Sequence, residues 1–401
     1  MGKGNLNESE ASRVSALKPS RETMWSLIEA LRDGSGARTF VAIRSAHISG
    51  VSYNNIGDAG TEFLEDLAAA GVRVKVRTTV NPGCADINAN PYGIDRRAIR
   101  NQRRIVESFR EIGAKTTLSC TPYEGHRPSL GEHIAWAESS AVIYANSMLG
   151  ARTNRESGIS ALAAAVTGKS PNYGMHVRGS RAPDVRIEVD IGDSDIDIDI
   201  DEARAGALGY LLGTQFGSAI TFVSGVRFRE RYKMKSLLAA ASTAGPMPLI
   251  HVDGITAETE WARRKAPEKV ECRIGMDEIE ETRERLSCDS EEPDSILLGC
   301  PHLSIEEMEL IARGMGERKF DKPVFLFTCR EIGRLAKELG YVDVIEKAGA
   351  AIVFDSCIMW SGLRALGLKR PATNSAKACF YLKNTMGLRP RLCSISECLR
   401  L

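Results

Sequence analysis

The amino-acid sequence predicts an α/β fold in which open parallel sheets carry helices on their faces. Segments typical of buried strands alternate with amphipathic helical segments along most of the chain, and small or polar loops follow the strands. The 401 residues are 43% hydrophobic and 26% charged, which is the composition of an ordinary globular protein. A disordered or collagen-like chain is therefore excluded.

The first part of the chain reads as strand, loop and helix in turn. Apolar residues recur at helical spacing, and Gly71 stands where a helix commonly ends. Helices are predicted at 20–33, 58–70 and 95–111, strands at 39–44, 72–79 and 115–119, and a buried helix at 131–151.

An antiparallel element is predicted near residues 187–201, where Ile and Val alternate with Glu and Asp. A strict period of two is typical of a strand with one wet face. A row of aspartates could also bind calcium, but the glycine turns and converging oxygens of a calcium loop are missing. A solvated sheet face is therefore favoured.

The alternation of strands and helices returns after residue 290. Ser304 and Glu307 have the spacing of a capping box at the start of a helix. Strands are predicted at 295–298, 324–328 and 351–354, and helices at 304–314 and 331–339. We expect three parts: an N-terminal helical segment (1–38), an α/β region carrying Cys120 (39–290), and an α/β region carrying Cys300 and Cys357 (291–401).

Charge and hydropathy indicate which partners the chain lacks. Lys and Arg number 53 against 52 Asp and Glu, so no global attraction to nucleic acid or to an anionic membrane is expected. The arginine-rich helix at 95–111 lacks the interleaved aromatics of an RNA-binding face, and a solvated or subunit-contact face is favoured. With no long apolar run and no apolar leader near Met1, a cytoplasmic location is expected.

Three of the ten cysteines, Cys120, Cys300 and Cys357, each stand just beyond the carboxyl end of a predicted strand. In an open parallel sheet, ligands collect at that edge. Three thiolates meeting there could hold an iron–sulfur cluster and leave one iron open to substrate. Dispersed buried thiols remain the alternative, and Cys329, which also follows a strand, is the main rival ligand.

Several motifs resemble those of the aconitase X family, over nearly the whole chain from about Ser45. The segments that carry the resemblance are His47–Tyr53, Ile56–Gly60, Cys120–Tyr123, Gly131–Ala141, Tyr144–Ser147, Gly150–Glu156, Gly299–Ser304 and Thr373–Lys377. The resemblance implies an aconitase-like α/β fold and a hydro-lyase activity. Family members have a large catalytic part and a small swivelling part, either fused or separate. Because this chain ends soon after Lys377, the resemblance implies a large subunit with a separate small partner.

The resemblance also implies roles for individual residues. The implied ligands of a 4Fe–4S cluster are Cys120, Cys300 and Cys357, and the implied substrate contacts are Gly50, Val51, Ser52, Asn81, Pro82, Glu138, Ser139 and Lys377. Glu138 would orient the substrate hydroxyl or relay its proton. Lys377 would neutralise an anionic substrate group. Two residues depart from the family pattern: Cys84, and Ser356, which stands where Thr is usual. The base that removes the substrate proton would be a serine of the small partner.

Two activities are implied by the family, dehydration of mevalonate 5-phosphate in archaea and of cis-3-hydroxy-L-proline in bacteria. The separate-subunit layout and the three cysteines favour conversion of (R)-mevalonate 5-phosphate to trans-anhydromevalonate 5-phosphate, with the open iron acting as Lewis acid. The alternatives are the large subunit of a hydroxyproline dehydratase and a non-catalytic iron–sulfur subunit.

Overall fold

The predicted α/β fold with parallel sheets and flanking helices is confirmed. The computed structural model describes residues 19–89, 94–190, 200–228, 230–288, 291–359 and 366–401. Three parallel sheets and one antiparallel strand pair are formed within these ranges.

The first sheet has three parallel strands in the order β3-β2-β4: β2 (Ser45–Ile48), β3 (Arg77–Val80) and β4 (Ala135–Trp136). Beside it, β1 (Phe40–Ala42) pairs antiparallel with β5 (Lys169–Pro171). The helices of this part are α1 (Arg21–Ser35), α2 (Tyr53–Ala69), α3 (Arg96–Glu111), α4 (Ser139–Met148) and α5 (Gly158–Thr167). Apolar residues of α1, α2, α3 and α5 join those of β2 in one buried cluster, which fixes the helices against the sheet.

The second sheet has the order β8-β7-β6-β9 and is parallel throughout. Its strands are β6 (Val185–Asp190), β7 (Thr221–Ser224), β8 (Ile250–Val252) and β9 (Val270–Gly275). Its helices are α6 (Glu202–Phe216), α7 (Arg231–Ala244), α8 (Thr259–Lys265) and α9 (Met276–Leu286).

The antiparallel element predicted near residues 187–201 is wrong over the strand β6. This strand pairs parallel with β7 and with β9, while residues 191–199 lie outside the described ranges. The alternation did predict correctly which face of the strand is buried, since Ile187 and Val189 are buried and Asp190 is exposed. An alternating pattern of apolar and polar residues shows which face of a strand meets solvent, but it does not determine whether the neighbouring strands run parallel or antiparallel.

The third sheet has five parallel strands in the order β12-β11-β10-β13-β14. They are β10 (Ser295–Leu298), β11 (Val324–Thr328), β12 (Ala351–Phe354), β13 (Pro371–Thr373) and β14 (Arg391–Leu392). The helices are α10 (Ile305–Met315), α11 (Arg330–Glu338), α12 (Tyr341–Lys347), α13 (Ala376–Asn384) and α14 (Ile395–Cys398). The predicted capping box is confirmed, since Ser304 and Glu307 each accept a hydrogen bond from the other's backbone N–H.

Two element predictions were wrong in the first part. The segment 115–119 runs beside β3 but forms only one bridge, between Lys115 and Thr79, because Leu118 has a positive φ of 47° that breaks the extended backbone. The segment 131–151 is a short strand (β4) followed by a helix (α4), not one helix.

A backbone bridge joins the first part of the chain to the third sheet. The Gly83 N–H donates to the carbonyl of Asp355 at 2.9 Å, and the Cys357 N–H donates to the carbonyl of Gly83 at 3.2 Å. The division at residues 38 and 290 stays a prediction. No helix in the described ranges is long and apolar enough to cross a membrane.

Candidate active site

A cavity of about 350 Å³ lies where the carboxyl ends of the first and third sheets face each other. The loops after β2, β3 and β4 line one side, and the loops after β10, β12 and β13 line the other. All eleven predicted site residues line this cavity: Gly50, Val51, Ser52, Asn81, Pro82, Cys120, Glu138, Ser139, Cys300, Cys357 and Lys377. Their individual roles stay predictions.

The three predicted cysteine ligands reach the cavity by different routes. Cys300 follows β10 through Gly299, whose φ is 110° and where an added Cβ would lie 2.3 Å from the carbonyl oxygen of Phe327. Only glycine tolerates such a position. Cys357 follows β12 and is held by the Gly83 bridge. Cys120 follows an irregular segment, and its sulfur accepts a hydrogen bond from the His302 N–H at 3.2 Å.

The rival cysteines lie elsewhere. Cys329 is buried at the start of α11 and lines a second cavity beside Ser119 and Thr121. Cys84 is fully buried behind the loop after β3 and does not line the active-site cavity. The structure therefore brings together the three cysteines that were singled out and leaves Cys329 apart.

Burial sets the protonation of the three cavity thiols. It raises the pKa of Cys120 and Cys300, and together with the neighbouring Cys300 it raises the pKa of Cys357 to about 12. Three neutral thiols in this cavity wall become thiolates only if cationic charge is brought to them. In the described part of the chain, no three His, Cys, Asp or Glu side chains converge on a point that could hold one metal ion.

Lys377 and Glu138 form a buried ion pair at the cavity wall. The Lys377 Nζ donates to Glu138 Oε1 at 2.7 Å, and the two side chains are 11% and 13% exposed. Burial alone would raise the pKa of Glu138, but the charge of Lys377 and hydrogen bonds from Lys377, Asn81 and Ser140 lower it to about 2. Burial alone would lower the pKa of Lys377, but the attraction of the Glu138 carboxylate acts in the opposite direction, and the net result is a raised pKa. Both groups are therefore charged at neutral pH.

A chain of hydrogen bonds fixes Glu138 from the opposite side. Asn81 Nδ2 donates to Glu138 Oε2 at 2.7 Å, so the Asn81 Oδ1 faces His47 Nε2 at 2.8 Å and must accept its proton. The other ring nitrogen of His47 then accepts from the Thr79 hydroxyl at 2.8 Å. Burial lowers the pKa of His47 to about 4, so this imidazole is neutral and serves to orient Asn81.

His302 also lines the cavity, and two hydrogen bonds hold it in addition to the one from its N–H to the Cys120 sulfur. Its Nε2 donates to the carbonyl of Ser356 at 3.0 Å, and its own carbonyl accepts from Lys235, which is paired with the buried Glu307. Burial lowers the pKa of His302 to about 4, so the ring is neutral. Within the described residues its Nδ1 is buried without a hydrogen-bond partner and is available as an acceptor.

The sequence motifs assigned no role to several cavity residues. Tyr381 lies four positions after Lys377 on the same face of α13, and Thr385, eight positions after Lys377, is the C-cap of that helix. This spacing could have indicated both residues. Arg155 lies in the quoted segment Gly150–Glu156, but an arginine in a polar loop gives no signal of its own.

Parallel sheets that meet at their carboxyl ends around a cavity lined by thiols and charged side chains place the protein among α/β enzymes. Models of the aconitase X first, second and third domains match residues 6–179, 183–284 and 293–401. The phosphomevalonate dehydratase large subunit of Methanocaldococcus jannaschii is 42% identical over 89% of this chain and 89% of its own length. A cis-3-hydroxy-L-proline dehydratase of Pseudomonas aeruginosa is 31% identical over 90% of this chain and 63% of its own length.

A crystal structure of Thermococcus kodakaraensis aconitase X in its holo-form is similar, with a TM-score of 0.87 and 35% identity over 99% of both chains. The chain therefore belongs to the aconitase X family. The family resemblance and the assignment to the hydro-lyases are both confirmed, since the matched relatives are named dehydratases.

Proposed function

We propose that this chain is the catalytic large subunit of a dehydratase that converts (R)-mevalonate 5-phosphate to trans-anhydromevalonate 5-phosphate. The observation that carries the proposal is the convergence of three thiols and the Glu138–Lys377 pair on one cavity. Similarity supports the substrate, because the relative named phosphomevalonate dehydratase large subunit is more similar than the one named cis-3-hydroxy-L-proline dehydratase.

The donor set fits an iron–sulfur cluster with one open iron. The residues that would hold it are Cys120, Cys300 and Cys357, which are all free thiols lining the cavity. In a cluster each thiolate ligates a different iron, so the thiols need not converge on one point as they would for a single ion. A bound 4Fe–4S cluster would supply Lewis acidity toward the leaving hydroxyl group.

The chain's own residues would bind and orient the substrate. Lys377 offers the N–H groups of an ammonium to an anionic or hydroxyl oxygen, while Glu138 holds that ammonium in place and can accept a hydrogen bond from a hydroxyl. Neither group can remove the C2 proton readily: Lys377 is already protonated, and a carboxylate with a pKa of about 2 is a weak base. The base is therefore assigned to a small partner subunit, whose existence the name "large subunit" of the relative supports.

The decisive experiment is turnover by the anaerobically reconstituted complex with its small subunit. We expect dehydration of (R)-mevalonate 5-phosphate, no dehydration of cis-3-hydroxy-L-proline, and no activity from either subunit alone. Turnover of the hydroxyproline in place of the phosphate ester would reassign the substrate. Full activity of this chain alone would refute the need for a partner. The cytoplasmic location stays a prediction.

Iron analysis tests the cluster separately from the substrate. Cys120→Ser, Cys300→Ser and Cys357→Ser should each lose iron, sulfide and the brown absorbance, because each removes one ligand. Cys272→Ser, on the half-exposed edge of β9, and Cys329→Ser should keep all three. Retention of full iron by Cys300→Ser would contradict the ligand assignment.

A further inference from the structure

Arg155 is a cation at the cavity wall that differs from Lys377 in burial and in pairing. Lys377 is nearly buried and its charge is neutralised by Glu138. Arg155 is exposed, and among the described residues no carboxylate lies within ion-pair distance of its guanidinium. The cavity wall therefore contains an ion pair, Lys377 with Glu138, whose charges cancel. It also contains a positive charge, Arg155, that is exposed to solvent and is not balanced by a nearby carboxylate within the ranges that the structure describes.

The backbone that carries Arg155 is tightly held on both sides of it. The Trp136 N–H donates to Thr153 Oγ1 at 3.0 Å, and the Glu156 N–H donates to the carbonyl of Trp136 at 3.2 Å. These bonds tie the segment to β4, the strand that leads to Glu138. The backbone on both sides of Arg155 is therefore hydrogen-bonded to β4, while the Arg155 side chain itself is exposed.

A second close approach sets Arg155 beside the predicted substrate loop. A Cβ added to Gly158 would lie 2.4 Å from the carbonyl oxygen of Ser49, so the start of α5 packs directly against the residue before Gly50. Ser49, Gly50 and Arg155 all line the cavity. A substrate that contacts the Gly50 loop therefore occupies the same cavity that Arg155 lines.

The proposed substrate carries two anionic groups, and the cavity offers two cations of different kinds. A carboxylate directed toward the thiols would meet the Lys377 ammonium. The phosphate at the other end carries a charge of about −1.5 to −2 at pH 7 and needs a cation that has no other partner. The planar fork of a guanidinium binds phosphate oxygens through two parallel hydrogen bonds, which makes arginine well suited to this role.

We propose that Arg155 binds the phosphate group of the substrate and selects phosphorylated hydroxy acids over unphosphorylated ones. The inference rests on the proposed function and names a specificity residue for it.

The test compares Arg155→Gln with the parent in the reconstituted two-subunit complex. The two ligands are (R)-mevalonate 5-phosphate as substrate and unphosphorylated (R)-mevalonate as substrate or competitive inhibitor. We expect kcat/KM for the phosphate ester to fall about 100-fold, mainly through KM, the scale of a lost charge-assisted bidentate contact. The KM or inhibition constant for unphosphorylated mevalonate should change less than about 3-fold, since it makes no contact with Arg155.

Two further variants sharpen the comparison. Arg155→Lys keeps the charge but loses the bidentate geometry, so it should recover only part of the affinity for the phosphate ester. Arg264→Gln removes an exposed arginine of α8 that does not line the cavity, and it should behave as the parent. Inorganic phosphate should compete with substrate in the parent and compete more weakly in Arg155→Gln.

Three results would overturn the inference. Equal losses for both ligands would mean that Arg155 supports the fold or the common part of the substrate. No loss for either would make it a bystander. A loss of complex formation in size-exclusion chromatography, with normal kinetics at saturating small subunit, would make it a partner contact. If the parent complex does not dehydrate the phosphate ester at all, the proposed function itself fails; if it does, only the role of Arg155 is at stake.

Discussion

Replacing Lys377 by methionine should destabilise the folded chain, because it leaves the buried Glu138 carboxylate without its cation. Burial by itself raises the pKa of Glu138, yet Lys377, Asn81 and Ser140 together lower it from 4.5 to about 2. A fall of that size corresponds to about 3 kcal/mol of folding free energy at neutral pH. Since Lys377 provides the largest of these lowering effects, we expect Lys377→Met to lose about 3 kcal/mol, the scale of a broken buried pair.

The pH dependence of this loss has a definite sign. A carboxyl whose pKa is depressed in the folded state contributes its stability above pH 4.5 and loses it as the pH falls toward 2. In Lys377→Met the unpaired carboxylate can instead take up a proton in the folded state. The difference in unfolding free energy between parent and variant should therefore narrow as the pH is lowered from about 7 to about 4.

Urea denaturation followed by circular dichroism measures this loss, and the same variant should lower kcat/KM by at least about 100-fold in the two-subunit complex. Lys383→Met, an exposed lysine on the same helix, is the control and should change neither quantity. Adding Glu138→Gln to Lys377→Met should restore most of the stability but none of the activity. Equal stabilities for the Lys377 and Lys383 variants would refute the reasoning, as would strict additivity in the double variant.

Two further predictions concern the loops that carry the thiols. Gly299→Ala should lower the free energy of unfolding by about 2 kcal/mol or more, because φ at this position is 110° and the Cβ of the alanine would overlap the carbonyl of Phe327. An unfolding midpoint equal to that of the parent would contradict this prediction. Arg330→Met removes the ion pairs to Asp86 and to Asp355, and Asp355 lies two residues before Cys357. Iron affinity measured by chelator competition should therefore fall by about 10-fold while the fold is kept. Unchanged iron retention would rule out this positioning role.

Three strands (β10, β11 and β12) and two helices (α10 and α11) of the third sheet were predictable because local signals agreed there. Continuous apolar runs mark β10, β11 and β12, and Ser304 with Glu307 marks the start of α10. Such signals act within a few residues and survive in the folded chain. The same is true of α1 and α3, whose apolar faces recur at helical spacing.

The wrong predictions concern features, such as strand direction and strand pairing, that a short stretch of sequence does not determine. The alternation around Ile187 fixes which side chains are buried, but the direction of β7 and β9 depends on how the intervening helices return the chain. The β-branched Thr116 and Thr117 favour a strand in residues 115–119, yet the positive φ of Leu118 ends any regular pairing.

The site was predictable as a set of residues but not as a set of interactions. Motif resemblance brought out the eleven cavity residues, because the motifs are carried by short loops after strands. It did not indicate that Lys377 already has a partner, since Glu138 lies 239 positions away in sequence. We expected a substrate anion to neutralise that lysine, and the structure assigns this task first to the protein's own carboxylate.

The backbone bridge at Gly83 has a consequence for how the protein unfolds. It joins a loop of the first part to the strand end that carries Cys357, across most of the chain in sequence. Both its hydrogen bonds lie beside buried residues such as Ser356, so they are shielded from water and should open only when the two sheets separate. Although three domain models divide the chain, its first and last parts should melt as one cooperative unit, with the Gly83 and Cys357 amides among the slowest to exchange with solvent.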